Sequence, residues 1–296
     1  MKRLLAVLAL FGAVGAGVFW VVTTPKTTDA NALAGIVADV EQGAAVFVAG
    51  GCASCHAAAD ATDEARLELV GGRAFPSDFG TFYAPNISPH PNAGIGGWSA
   101  LDLVNAMRHG TSPDGAHYFP AFPYTTYQNA TLGDIVSLHA YMQTLPAVDT
   151  PSKPHDVGFP FNIRRSLGGW KLLFLRPGWV MQDAATPELE RGRYLVEALG
   201  HCGECHTPRN LLGAVQTGRW MAGAPNPSGS GKIPNITPAK LDWSEPDLLG
   251  YFATGFTPEF DTAGGHMGDV IENLSQMPED DLNAIVAYIQ ALPAAQ

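Results

Sequence analysis

Two short stretches place thiols and an imidazole at a spacing that can do chemistry: Cys52-Ala53-Ser54-Cys55-His56 and Cys202-Gly203-Glu204-Cys205-His206. Each reads C-x-x-C-H, the pattern for covalent attachment of c-type haem. Thiols one helical turn apart can each form a thioether to a porphyrin vinyl group, and the histidine that follows supplies an imidazole nitrogen to iron. A lone C-x-x-C-H also fits half a zinc site or a redox dithiol. Two copies that share the same downstream landmarks point instead to two covalently bound haem c groups, one on Cys52, Cys55 and His56 and one on Cys202, Cys205 and His206.

The landmarks show an internal duplication with a period of roughly 147 residues. Pro85-Asn86-Ile87-Ser88-Pro89 matches Pro234-Asn235-Ile236-Thr237-Pro238, Trp98-Ser99 matches Trp243-Ser244, and Ala140-Tyr141 with Leu145-Pro146 matches Ala287-Tyr288 with Leu292-Pro293. Each half opens with a short helical stretch into its motif and closes with an amphipathic helix. In the second half Leu282, Ile285, Val286, Ile289 and Leu292 share one face. In the first, Thr131 with Asp134 reads as a capping box, and Pro146 and Pro293 stop the two helices. With long Gly/Pro-rich loops and no sustained strand alternation, the expected fold is all-α: two tandem haem domains, 41–148 and 187–296.

Ahead of them, Lys2 and Arg3 precede an uncharged apolar run over residues 4–22. That run exceeds the usual apolar core of a signal peptide and is long enough to cross a bilayer. Residues 1–24 are therefore read as a transmembrane anchor, the alternative being a signal cleaved near Ala30-Asn31-Ala32. The positive-inside rule then puts everything after Thr23 in the periplasm, at the inner membrane. Residues 25–40 read as a tether without apolar periodicity, and 149–186 as a connector. The connector is basic and aromatic in a chain of net charge −11. It is either a docking surface for a partner or the membrane, or a segment whose Trp170, Leu173 and Phe174 pack between the haem domains. The acidic balance argues against nucleic acid and anionic lipid headgroups as partners and allows steering towards basic patches on a redox partner. All four cysteines lie in the two motifs, which leaves none for a disulfide or a thiolate ligand.

Pro-Asn-Ile-Ser/Thr-Pro, then Trp-Ser, then Pro120-Ala121-Phe122-Pro123-Tyr124, with Cys202-Gly203-Glu204-Cys205-His206-Thr207-Pro208-Arg209-Asn210, resembles the membrane-bound cytochrome c subunits of bacterial alcohol and gluconate dehydrogenases. The resemblance runs through nearly all of the chain after the anchor. It implies two cytochrome c domains and passage of electrons from a dehydrogenase towards the respiratory chain. The members closest in pattern carry three haems, and this chain has motifs for two. In that family a methionine on the loop before the last helix lies opposite the histidine.

In the second half Met267, in Gly264-Gly265-His266-Met267-Gly268, is that methionine, with Met277 as its competitor. The same count in the first half lands on Phe122, which cannot bind iron, and the spacings Trp98 to Phe122 and Trp243 to Met267 are equal. His117 on the same loop is the nearest replacement donor, Met107 and Met142 are on expected helices, and an open or water-bound iron is the remaining choice. Asn86, Asn235, Trp98 and Trp243 either line the haem edges and propionates or serve as turn and packing residues. Arg73 and Arg209 are candidates to pair with propionates.

The expected function is a periplasmic relay of single electrons, from a dehydrogenase or other donor to a soluble cytochrome, an oxidase or another acceptor. The alternative is a dihaem redox enzyme, peroxidase-like, with the first haem as its open catalytic site. A gas or redox sensor is a third reading.

Overall fold

The computed structural model describes residues 1–227 and 231–295. Helix α1, Lys2–Val22, is apolar and wholly exposed, long enough and apolar enough to cross a membrane. The two halves then repeat one plan of entry helix, motif helix, β-ribbon, middle helix and terminal helix. The first half runs α2 (Val40–Ala49), α3 (Cys52–His56), the ribbon β1 (Ala74–Ser77) and β2 (Gly80–Tyr83), α4 (Ala100–His109), α5 (Tyr124–Tyr127) and α6 (Leu132–Met142). Helix α7, Ser166–Phe174, lies in the connector. The second half runs α8 (Pro187–Tyr194), which continues as a π-turn over Leu195–Leu199, then α9 (Gly203–His206), the ribbon β3 (Ala224–Pro225) and β4 (Lys232–Ile233), α10 (Glu245–Thr254), α11 (His266–Leu274) and α12 (Glu279–Gln290). The all-α expectation holds. The ribbons are too short to show alternation in sequence.

In each half the entry helix crosses the terminal helix at a glycine. A Cβ on Gly43 would sit 2.1 Å from the Ser137 carbonyl oxygen, and one on Gly192 would sit 2.0 Å from that of Ala284. Only glycine lets the two backbones approach this closely. The crossings hold the buried side chains of α6 and α12 (Ile135, Leu138, Leu282, Ile285, Val286, Ile289) against α2 and α8. The middle helices are capped reciprocally, Ser99 with Asp102 and Ser244 with Asp247. At Thr131 only half of the expected box forms. Its hydroxyl accepts from the Asp134 amide at 3.1 Å, but the Asp134 carboxylate is taken by Gln42 at 2.9 Å and by the Tyr194 hydroxyl of the other half.

Residues 25–40 are bound to the first domain rather than loose. The Thr28 amide donates to Asn105 Oδ1 at 2.7 Å, and Thr111 Oγ1 donates to the Lys26 carbonyl at 2.8 Å. Such bonds run from backbone to polar side chains and leave no apolar period to read. The connector divides. Trp170 turns inward, its Nε1 donating to the Leu212 carbonyl at 2.9 Å and its ring edge-on to Tyr124. Leu173, which only the packed reading of the connector places inside, is exposed.

Candidate functional site

Both motif helices are a single turn long and each opens from a left-handed residue, Gly51 at φ 59° and His201 at φ 42°. The turn brings the paired thiols to one side, and all four cysteines are free. Burial pushes the Cys52 and Cys202 thiols up to about 12 and the Cys55 thiol to about 11; Arg73 opposes the rise at Cys55, while the Cys205 thiol of the other motif adds to it.

The paired Pro-Asn-Ile loops orient the histidines. His56 Nδ1 donates to the Pro85 carbonyl at 2.8 Å and His206 Nδ1 to the Pro234 carbonyl at 2.9 Å. A proton fixed on Nδ1 leaves the Nε2 lone pair available to a metal, the usual role of such an outer bond. Burial lowers the basicity of both rings and so keeps them neutral. Asn86 Nδ2 pins its loop to the Val148 and Thr150 carbonyls at 2.8 and 2.9 Å, and Asn235 Nδ2 pins the matching loop to Ala295 at 2.9 Å. Each asparagine also accepts from the amide two residues on, Ser88 or Thr237. These bonds are those of turn and packing residues.

Trp98 and Trp243 pack partly buried against the core, Trp243 edge-on to Tyr251. Arg73 and Arg209 are equivalent in action, each donating to the carbonyl of its motif's third residue, Ser54 or Glu204. Free thiols, partly buried at three of the four cysteines and exposed at Cys205, and an Nε2 left open on each histidine fit haem c at both motifs. Among the described residues no group of three or more His, Cys, Asp or Glu side chains is arranged to hold a metal ion by itself.

A feature that sequence reading missed joins the two sites. The third motif residue of each domain is seated on the other domain. Ser54 Oγ donates to the Asp269 carbonyl at 3.1 Å and accepts from Asn273 Nδ2, both on α11. Reciprocally, Glu204 Oε1 accepts from Thr125 and Thr126 of α5 at 2.6 and 3.2 Å. Helices α5 and α11 directly follow Phe122 and contain Met267, so they are counterparts. Ion pairs Arg73–Asp269 at 2.7 Å and Arg66–Glu272 at 2.6 Å lock the first of these contacts. His201 fills the seam, Nε2 donating to the Gly50 carbonyl at 3.3 Å and the ring edge-on to Tyr127. The only sequence signal was the polar character of Ser54 and Glu204 inside their motifs.

Met267 opens α11, half-buried against the core. Phe122 packs on Tyr127 with centroids 5.7 Å apart, and the Tyr127 hydroxyl donates to Gly50 beside the first motif at 3.3 Å. The His117 ring is buried, with its Nδ1 free of any hydrogen-bond partner among the described residues. It is 3% exposed, and its Nε2 donates to the Thr23 carbonyl at 2.8 Å, at the end of α1. Met107 and Met142 are buried on α4 and α6, where sequence placed them.

The cytochrome c family model matches residues 40–146 and 189–293. A diheme cytochrome c-type protein of Cereibacter sphaeroides is 54% identical over 295 residues, 100% of this chain and 99% of that protein. The fructose dehydrogenase cytochrome subunit of Gluconobacter japonicus is 40% identical across 86% of this chain and 53% of its own length. The cytochrome c subunit of the quinone alcohol dehydrogenase of Komagataeibacter europaeus is 35% identical across 86% of this chain and 56% of its own length. The chain thus spans about half the length of these two dehydrogenase subunits.

Proposed function

Since the chain belongs to the cytochrome c family, with a match in each half, we propose that it is a membrane-anchored periplasmic electron relay. It takes single electrons from a dehydrogenase partner and passes them to a soluble cytochrome, an oxidase or another respiratory acceptor. Haem c, when bound, supplies a one-electron iron couple. Cys52 with Cys55 and Cys202 with Cys205 hold the two groups through thioethers, and the Nε2 atoms of His56 and His206 serve as ligands. Met267 supplies a thioether to the second iron, an arrangement that raises the reduction potential.

The observation that carries the reading is the reciprocal seating of Ser54 and Glu204. A relay needs its two centres fixed close together, and each motif here is fastened to the partner domain rather than to solvent. The dehydrogenase donor rests on the names of the fructose and alcohol dehydrogenase subunits. Flash injection of single electrons into the detergent-solubilised holoprotein tests the relay. Redistribution between the two centres at a rate independent of protein concentration is expected; exchange only through collisions refutes it.

A second reading, a dihaem redox enzyme with the first haem as its open site, is favoured by one feature. Phe122 stands where Met267 stands, and the nearest spare donor, His117, is tied to Thr23. Electron paramagnetic resonance of the ferric protein and carbon monoxide titration of the reduced protein separate the two. A high-spin signal with one carbon monoxide bound per chain brings the enzyme forward, and two low-spin signals with none bound leave the relay alone.

A further inference from the structure

The end of the apolar helix α1 is clamped rather than tethered. Thr23 is 1% exposed, its carbonyl accepting from His117 Nε2 and its hydroxyl from Arg165 Nε at 2.9 Å. The Arg165 guanidinium lies 4.2 Å from the Trp20 ring centroid. Gly168 of α7 fits against Thr23 so tightly that a Cβ there would meet the Thr23 Cβ at 2.5 Å. One position further, a Cβ on Gly169 would be 3.7 Å from the Phe19 ring. Phe19 lies four residues inside Thr23, about 6 Å back along the helix at 1.5 Å per residue. Helix α7 therefore runs beside the last turn of the apolar segment, not above it.

The surface that continues from α7 is apolar and uncovered. Leu172 and Leu173 are 53% and 57% exposed, Phe159 is 81% and Leu211 98% exposed, and Phe161 and Ile163 are both 45% exposed. Contacts link the segments that carry these residues. Trp170 ties α7 to the Leu212 loop, Phe79 lies 3.0 Å from where a Cβ on Gly213 would sit, and the rings of Phe79 and Phe161 are 5.0 Å apart. Arg164 and Arg165, bonded to the His117 carbonyl and the Thr23 hydroxyl, adjoin this face in a chain whose net charge is −11. Contiguous exposed apolar surface of this kind marks an interaction site. Basic residues beside an apolar face, set about 6 Å into the apolar depth, match a helix lying in the headgroup–acyl boundary.

We propose that this face, comprising α7, residues 159–163 and the Leu211–Leu212 tip, sits in the lipid headgroup layer of the membrane that α1 spans, so that the bilayer fixes the orientation of both haem domains. The proposal rests on α1 being a membrane anchor. The argument for lipid as the occupant is continuity, because the face begins at the flank of the spanning helix itself.

The test reconstitutes the full-length holoprotein into vesicles of phosphatidylethanolamine and phosphatidylglycerol that carry a trace of phospholipid with a photoreactive acyl-chain diazirine. Adducts are mapped by mass spectrometry after illumination. Adducts on α1 together with Leu172, Leu173 and the 159–163 segment are expected. In Leu172→Glu/Leu173→Glu, at two exposed positions, the α7 adducts should be lost and those on α1 kept. Adducts on α1 alone overturn the proposal while leaving the anchor intact, and a chain without adducts on α1 overturns the anchor and the proposal with it. Lipid-free protein–protein cross-links from this face in native membranes would assign it to a protein partner and also overturn the proposal.

Discussion

Replacing Asp269 by asparagine removes one charge from the seam between the domains while preserving side-chain shape. The carboxylate receives Arg73 Nη1 at 2.7 Å and faces Arg66 Nη1 at 4.0 Å, and the three side chains are 23%, 17% and 10% exposed. A hydrogen bond to a charged group contributes about 1.5–3 kcal/mol. Breaking a fully buried pair costs about 3–5 kcal/mol, because the remaining charge is stranded. Arg73 keeps its bond to the Ser54 carbonyl and Arg66 keeps Glu272, and some solvent reaches all three, so the lower end applies: about 2 kcal/mol. By the tenfold-per-1.4 kcal/mol rule, that is about a 30-fold rise in the population of the undocked state. The assay is native-state hydrogen exchange on the holoprotein, read in peptides over 51–56 and 266–274. Exchange there should rise about 30-fold, with the 135–142 and 282–290 cores unchanged, since opening is local. Arg73→Gln combined with Asp269→Asn should cost less than the sum of the two changes. Unchanged protection at both peptides, or a uniform rise across the chain, would refute the view that this pair holds the domains together.

Phe122→Met is a near volume-conserving change that should cost under about 1.5 kcal/mol; it should give the first site the thioether proposed for Met267 in the second. Any ferric high-spin signal and any carbon monoxide binding should then disappear. Asn86→Ala cuts the ties to Val148 and Thr150 and should lower stability by about 1–3 kcal/mol. Denaturant melting checks this, and a shifted first potential without lost stability would make Asn86 a haem contact instead. Burial pushes the Lys171 amine down to about 7, although it donates to the His109 and Gly110 carbonyls at 2.6 and 2.7 Å. Between that value and about 10.4, the ordinary lysine value, the unfolded chain holds the extra proton, so stability should rise with pH through that window. Lys171→Met should flatten this slope in denaturant melts taken at successive pH values.

Local chemistry was legible in the sequence because each attachment motif lies within five residues and each helix follows its own period. The duplication was legible because Pro-Asn-Ile and Trp-Ser recur in register. What escaped is what joins the copies. Ser54 meets Asp269, 215 residues away, and no local pattern encodes that partnership. Once the halves are superposed in sequence, however, the seam has a logic of its own. Ser54 and Glu204 hold the same motif position, and their partners come from the matching helices α11 and α5, yet the chemistry has diverged. The first motif is seated by arginines around an aspartate, the second by threonines donating to a glutamate that Arg209 also binds. The same two segments carry the other divergence, Met267 against Phe122. A duplicated domain that keeps its packing glycines, its Pro-Asn-Ile loops and its serine caps, while changing the residues that join its two motifs, has kept what folds it and altered what fastens the copies to one another.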